Sequence, residues 1–341
     1  MKRSFLLVVP VVALVSLACH AQMTIGDSTT VVFATGAQGK AILGSRDDFV
    51  ARMSPFDRAA RLKTDKDISE KDFREFAGKN TLEWTDAEKR KLSSAIEGLQ
   101  AELKALSLPF PNKVFVIKTT GNEEGNAAYT RTNAIVLPKT ELNAPVTKTK
   151  KLICHELFHI MSRANPVLRE KLYAVIGFVK CDEVAFPLAL LSRKITNPDA
   201  PMNDHCIRLQ VEGRERWAIP ILYSGAEKYS VQHGGEFFDY LQFRFLLVER
   251  NDGSPIARPV YDGQKAKLVG ADQVSGFIEQ IGKNTEYIIH PEEILANNFA
   301  LLVLQSHDVP SPEIIAKMKA VLSEKRSSEP GTPADVDKPH R

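Results

Sequence analysis

The stretch that most constrains this 341-residue chain is 150–163, KKLICHELFHIMSR. Leu152, Ile153, Leu157, Ile160 and Met161 recur three and four apart, so the spacing predicts an amphipathic helix. Pro145 and Thr147 lie just upstream, and Asn165-Pro166 closes the run with a dipeptide that rarely continues a helix. On a helix, residues four apart stack with β-carbons ~5–6 Å apart, which brings His155 and His159 to one face with Glu156 beside them. Two imidazoles so placed can share one metal ion. Zinc takes neutral imidazole nitrogens at about 2.0–2.1 Å, and a carboxylate that is not a ligand can accept a proton from a water that the metal acidifies. The competing reading is an amphipathic helix whose histidines are simply hydrogen-bonded.

Composition narrows the setting. With 43% hydrophobic, 26% charged and 8% aromatic residues, the chain is neither disordered, collagen-like nor a membrane bundle, and its length can bury a sizeable core. Lys2 and Arg3 precede an apolar run over 5–17 and a short small-residue stretch to Ala21, the layout of a secretory signal. Residues 1–21 are therefore expected to be removed on export to a periplasm or the exterior. Cleavage before Cys19 would instead leave a lipid-anchored protein, although Ser16 and Leu17 fit that signal poorly. The apolar run is shorter than the ~20 residues of a membrane span, and no later segment is long and apolar enough.

Removing Lys2 and Arg3 leaves 45 − 2 = 43 basic against 42 acidic residues, which gives no electrostatic preference for nucleic acid or anionic membrane. Of the cysteines outside the signal, Cys154 reads as a small buried apolar residue, while Cys181 and Cys206 could pair in an oxidising compartment.

The expected fold class is α+β, with a small mixed sheet over the HExxH helix and a mainly helical remainder. Thr29–Phe33 reads as a strand, 83–106 as a packing helix, and 22–110 together as an N-terminal helical region against a core domain over 111–324. Residues 113–120 and 127–138 read as two strands joined by a Gly/Asn turn at 122–126, with 129–133 as a candidate edge that could pair with a substrate backbone. Helical periodicity resumes at 168–178 and stops at Gly177. A long loop follows, punctuated by Pro187, Asn197-Pro198-Asp199 and Pro201. Residues 217–223 and 242–249 read as strands, the latter forming a hairpin with 257–261 through Asn251-Asp252-Gly253. The polar, Pro-containing 325–341 reads as a disordered tail.

Two histidines do not complete a catalytic zinc site, which usually has three protein ligands and one position for water. The strongest third donor lies in 287–299, YIIHPEEILANNF, where Pro291 suits a first helical turn and two glutamates suit a helix N-terminus. HELFH with a later Glu-x-x-Ala-x-x-Phe helix resembles the glutamate-ligand zincin metallopeptidases, the gluzincins. The resemblance covers only these two short segments, and it implies a zincin-like peptidase with one Zn²⁺ held by His155, His159 and Glu293, since Ala296 and Phe299 fall three and six residues on.

In several such families the residue four beyond the ligand is acidic and orients a ligand; here it is Asn297. Similarity to lethal-factor-like members suggests Tyr287 as an oxyanion donor. The separation 293 − 159 = 134 residues requires an insertion between the ligands. Glu183 is the main rival ligand, and His205, His233 and His290 are further candidates. The aminopeptidase signature Gly-x-Met-Glu-Asn is absent.

These features lead to the expectation of an exported zinc peptidase acting on peptides or proteins, with Glu156 as general base. A non-catalytic zinc-stabilised binding protein has no need of Glu156. A metal-dependent cell-wall peptide amidase is the other alternative.

Overall fold

The computed structural model describes residues 23–324. The signal, Cys19 and the 325–341 tail lie outside them.

A six-stranded mixed sheet carries the first half of the chain. Strands β1 (Thr24–Ile25) and β2 (Thr29–Phe33) form a hairpin, followed by helices α1 (Gly36–Leu43), α2 (Asp48–Arg52), α3 (Pro55–Arg61) and α4 (Glu70–Lys79). Then come β3 (Thr81–Leu82), α5 (Asp86–Glu97), α6 (Gln100–Ala105), β4 (Lys113–Thr119), β5 (Tyr129–Arg131) and β6 (Ala134–Pro138). The strand order is β1-β2-β4-β6-β5, with β3 paired to β4. Because β2 runs parallel to β4, with Thr30 opposite Lys113, the sheet crosses residue 110. Residues 22–110 are therefore not a separate helical region; they supply three strands of this sheet.

Alternation along the strands builds a layer on each face. Val114, Val116, Ile135 and Leu137 point to one core, while Ile117, Ala134 and Val136 point to a second, filled by Leu43, Phe49 and Phe73 from α1, α2 and α4. The first core runs on through α7 (Val146–Ala164) and α8 (Pro166–Val175).

Two segments depart from the sequence reading. The 83–106 helix breaks into α5 and α6 at Gly98, where Lys150 from α7 lies so close that a β-carbon at Gly98 would meet its Nζ, which donates to the Gly98 carbonyl at 2.9 Å. The expected strand 127–138 is two strands, folded back at Thr132 with φ 51°.

The second half is not mainly helical. After β7 (Phe178–Lys180) and the short α9 (Leu188–Leu191), strands β8 (His205–Val211), β9 (Arg214–Ser224) and β10 (Leu241–Glu249) make the centre of a seven-stranded antiparallel sheet. Arg258–Pro259 pairs with β10, as the hairpin reading expects. Cys181 and Cys206 lie in contact across the β7–β8 pair as free thiols, sulfurs 3.0 Å apart. Helix α10 (Phe277–Ile281) then leads to α11 (Pro291–Val303) and α12 (Pro312–Ser323).

α11 packs on α7 through Ile294, Leu295 and Phe299, which join Leu157 and Phe158 in the same core. At about 1.5–3 kcal/mol per fully buried aliphatic or aromatic side chain, this contact alone fixes the two helices to each other. Among the described residues no helix is long and apolar enough to cross a membrane.

Candidate metal centre

α7 is held as the sequence dictates: Pro145 is its N-cap, Asn165 its C-cap, and Pro166 begins α8. Its apolar residues face the core, and the polar His155–Glu156–His159 group is directed toward the N-terminal turn of α11. His290 caps α11, its Nδ1 accepting from the Glu292 backbone N–H at 3.1 Å, and Pro291 takes the first turn, where an amide donor is dispensable. Glu292 and Glu293 follow, and both are buried.

The two helices bring three sequence-predicted ligands together. His155, His159 and Glu293 offer donor atoms that all lie within 4.8 Å of one another. Nε2 of His155 is 3.1 Å from Glu293 Oε2, and Nε2 of His159 is 3.7 Å from the same oxygen. His159 is 1% exposed, and its Nε2 has no hydrogen-bond partner. Its other nitrogen, Nδ1, lies 3.0 Å from Glu292 Oε1.

With Nδ1–H donating to that carboxylate, the neutral ring presents a bare Nε2 lone pair to the Glu293 side, the tautomer a metal requires. The donor set therefore fits a zinc ion. The charge balance fits as well: Glu292 and Glu293, both held below the usual carboxylate range by the imidazole beside them, offer two negative charges at the two histidines, while burial pushes Glu156 and Asp199 upward.

Without a cation the protonation states respond to this crowding. Burial lowers the His159 pKa, but the charges of Asp199 and Glu293 and the Glu292 bond overcome it and raise the group to about 10. Burial raises Glu293, but His159 and the His155 bond overcome it and hold that carboxyl at about 2. Glu156, buried and flanked by Asp199, is pushed well above the usual carboxylate range. Its Oε2 is buried without a partner beside the three donors.

The remaining candidates separate. Tyr287 sits in a loop and lines the same cavity as His155, Glu156 and Glu293. Although the residue is 44% exposed, burial around its hydroxyl and the charges of Glu293 and Asp199 raise its pKa well above 10. Glu183 is not in the cluster: it is exposed and bonded to Arg52 at 2.7 Å. His205 pairs with Asp204 at 2.6 Å and lies tilted against the Tyr173 ring, His233 is exposed, and His290 is the helix cap. Asn297 does not orient a ligand side chain; its Nδ2 donates to the Glu293 backbone carbonyl.

The orienting carboxylate is Glu292, which sequence reasoning passed over. It accepts from Ser162 Oγ at 2.8 Å and the Tyr173 hydroxyl at 2.5 Å as well as from His159. Ser162 was within reach of the sequence, since it stands three residues beyond His159 on the same helical face. Asn197 and Asp199 are the other unforeseen members. Asn197 Nδ2 donates to Glu293 Oε1 at 2.7 Å, while Asp199 offers an oxygen within 4.8 Å of Glu156 and His159. Comparison with protein-family models, with curated proteins and with solved structures finds no match.

Proposed function

We propose that this protein is an exported, zinc-dependent peptidase of the glutamate-ligand zincin type. The observation that carries the reading is the convergence of His155 and His159 from α7 with Glu293 from α11, with the partnerless carboxylate oxygen of Glu156 beside them. His155, His159 and Glu293 would hold the ion, and Glu292 would fix the His159 ring. When bound, zinc supplies Lewis acidity toward a carbonyl and acidifies a water.

Glu156 takes a proton from the attacking water and delivers it to the leaving amine nitrogen. Tyr287, whose hydroxyl keeps its proton at any neutral pH, donates to the carbonyl oxygen as negative charge develops there. A zinc ion that only stabilised the fold would have no use for a buried, partnerless Glu156 beside a cavity. That feature favours catalysis over a binding-only role.

The test is digestion of a diverse peptide library by purified, zinc-loaded protein beside its Glu156→Gln variant, read by mass spectrometry. Cleavage by the parent that is lost in a variant still binding one zinc per chain is the expected result. Failure to bind stoichiometric zinc would remove the basis of the proposal. Zinc binding without cleavage by the parent would favour the non-catalytic reading.

A further inference from the structure

We propose that Lys194 is a reactive amine in a second small-molecule site, where it condenses with an apolar aldehyde to form an imine. Two lysines are buried among the described residues, and they are held differently. Lys118 pairs with Glu88 at 2.7 Å, which compensates a buried ammonium. Lys194, only 6% exposed, forms no ion pair among the described residues, and the one hydrogen bond of its Nζ is a 3.3 Å contact to the Pro201 carbonyl. Its backbone is anchored: the Lys194 carbonyl accepts from the Ser54 hydroxyl at 2.7 Å, and the residue bridges to Tyr223 of β9.

The side chain borders open space. Lys194 lines a cavity of about 440 Å³ between the α2–α3 junction and the segment leading into α9, and this cavity shares no lining residue with the one at the metal centre. Its volume falls within the roughly 300–1,000 Å³ of small-molecule sites. Met53, Val184, Phe186 and Leu191 give it an apolar wall, and the Lys194 Nζ lies 5.6 Å from the centre of the Phe186 ring. The other charged residues of the lining, Arg52 and Glu183, are engaged with each other through two bonds of 2.7 Å. The wall therefore offers no unpaired charge to an ionic ligand, and what it accommodates is an apolar molecule whose one polar group meets the amine.

The chemistry of that group follows from the amine. Burial disfavours the ammonium and brings Lys194 down to about 8; the charges of Glu183 and Asp57 oppose the shift and Arg52 reinforces it. At pH 7.5 the neutral fraction of such an amine is roughly 200-fold that of an exposed lysine. A desolvated, neutral lysine is a nucleophile toward carbonyl carbon. The Nζ lone pair bonds to the aldehyde carbon, the two protons of the nitrogen depart with the carbonyl oxygen as water, and a C=N bond replaces C=O. No oxidant or reductant is needed, and water reverses the step. The apolar tail of the aldehyde is then held by Met53, Val184, Phe186 and Leu191.

The experiment incubates the purified protein at pH 7.5 with hexanal and cyanoborohydride, which delivers hydride to an imine carbon and fixes it as a secondary amine. Mass spectrometry of the digested protein then maps the labelled lysines over time. Lys194 is expected to be labelled at least about 10-fold faster than the exposed Lys71 and Lys148. Hexanol, which fills the cavity without reacting, should slow the labelling of Lys194 and leave those two unchanged. Labelling that follows exposure, with Lys194 as slow as Lys118, would overturn the proposal and leave Lys194 a structural ammonium seated against Phe186. Glyceraldehyde, a polar aldehyde, should show no such preference for Lys194; an equal preference would overturn the apolar assignment. A folded Lys194→Met variant should lose the fast label alone, and the map of the parent protein decides the matter even if that variant does not fold.

Discussion

Glu292→Gln isolates the role of the orienting carboxylate. Three donors converge on a side chain that is 1% exposed: His159 Nδ1, the Ser162 hydroxyl and the Tyr173 hydroxyl. An ionised carboxylate accepts all three across its two oxygens. A glutamine has one acceptor oxygen, and its amide nitrogen would meet at least one of those donors with hydrogens of its own. The unpaired donor should cost the metal-free fold about 1–3 kcal/mol.

Loss of the charged acceptor also frees the His159 ring, and changes of this kind typically weaken metal binding by 10- to 100-fold, about 1.4–2.8 kcal/mol. The assay is zinc competition against a chromophoric chelator at pH 7.5, with thermal melting of the metal-free protein alongside. The expected result is zinc binding weakened by about 10- to 100-fold in a protein that still folds. A folded variant whose zinc affinity stays within about twofold of the parent would refute the assignment of Glu292 as the partner that orients His159.

Further outcomes follow from the same geometry. His155→Ala and Glu293→Gln should each weaken zinc binding by more than about 100-fold in the chelator competition, while Glu183→Gln, which touches only the Arg52 ion pair, should leave it unchanged. Glu123 is 1% exposed with both carboxylate oxygens unpartnered, and burial raises its pKa from 4.5 to about 7. The folded state therefore binds more protons than the unfolded one between those values, and stability falls as pH rises through them, by about 3 kcal/mol in total. Glu123→Gln should accordingly raise the melting temperature at pH 8 and change it little at pH 4.5; a variant no more stable at pH 8 would contradict this. Incubation with a disulfide donor should remove two titratable thiols, Cys181 and Cys206, and mass spectrometry should find them joined; closing that 25-residue separation (206 − 181) should add about 3 kcal/mol of stability. Cys154, buried with its thiol pushed up to about 12, should react only after denaturation.

The parts of this molecule that were legible in the sequence are those governed by local rules. α7 was readable because its apolar spacing, Pro145 and Asn165-Pro166 all act within a few residues of the helix they define. Glu293 was readable because Pro291 and the apolar stripe announce a helix. Glu292 escaped because two adjacent glutamates at a helix start are equally explained by the helix dipole, and only the packing of α11 on α7 shows which one reaches which imidazole nitrogen. Asp199 escaped for a different reason. Between Pro198 and Pro201 it has the composition of a turn, and its closeness to Glu156 and His159 arises from where the loop crosses the sheet edge, a tertiary event with no local signature. The extent of the second sheet was hidden likewise, because β8 alternates weakly and its pairing with β7 and β9 is not local.

The placement of the two helices along the chain has a consequence in time. A polypeptide leaves the ribosome N-terminus first, and α11 follows the histidines of α7 by 134 residues (293 − 159). At 5–20 residues per second, roughly 7–27 s separate the appearance of His159 from that of Glu293. Through that interval, and in any chain stalled or truncated before residue 293, the third donor of the proposed centre is missing, so on the peptidase reading a nascent or broken copy carries both histidines and Glu156 without a complete site. On that reading, the order of synthesis itself acts as a safety catch.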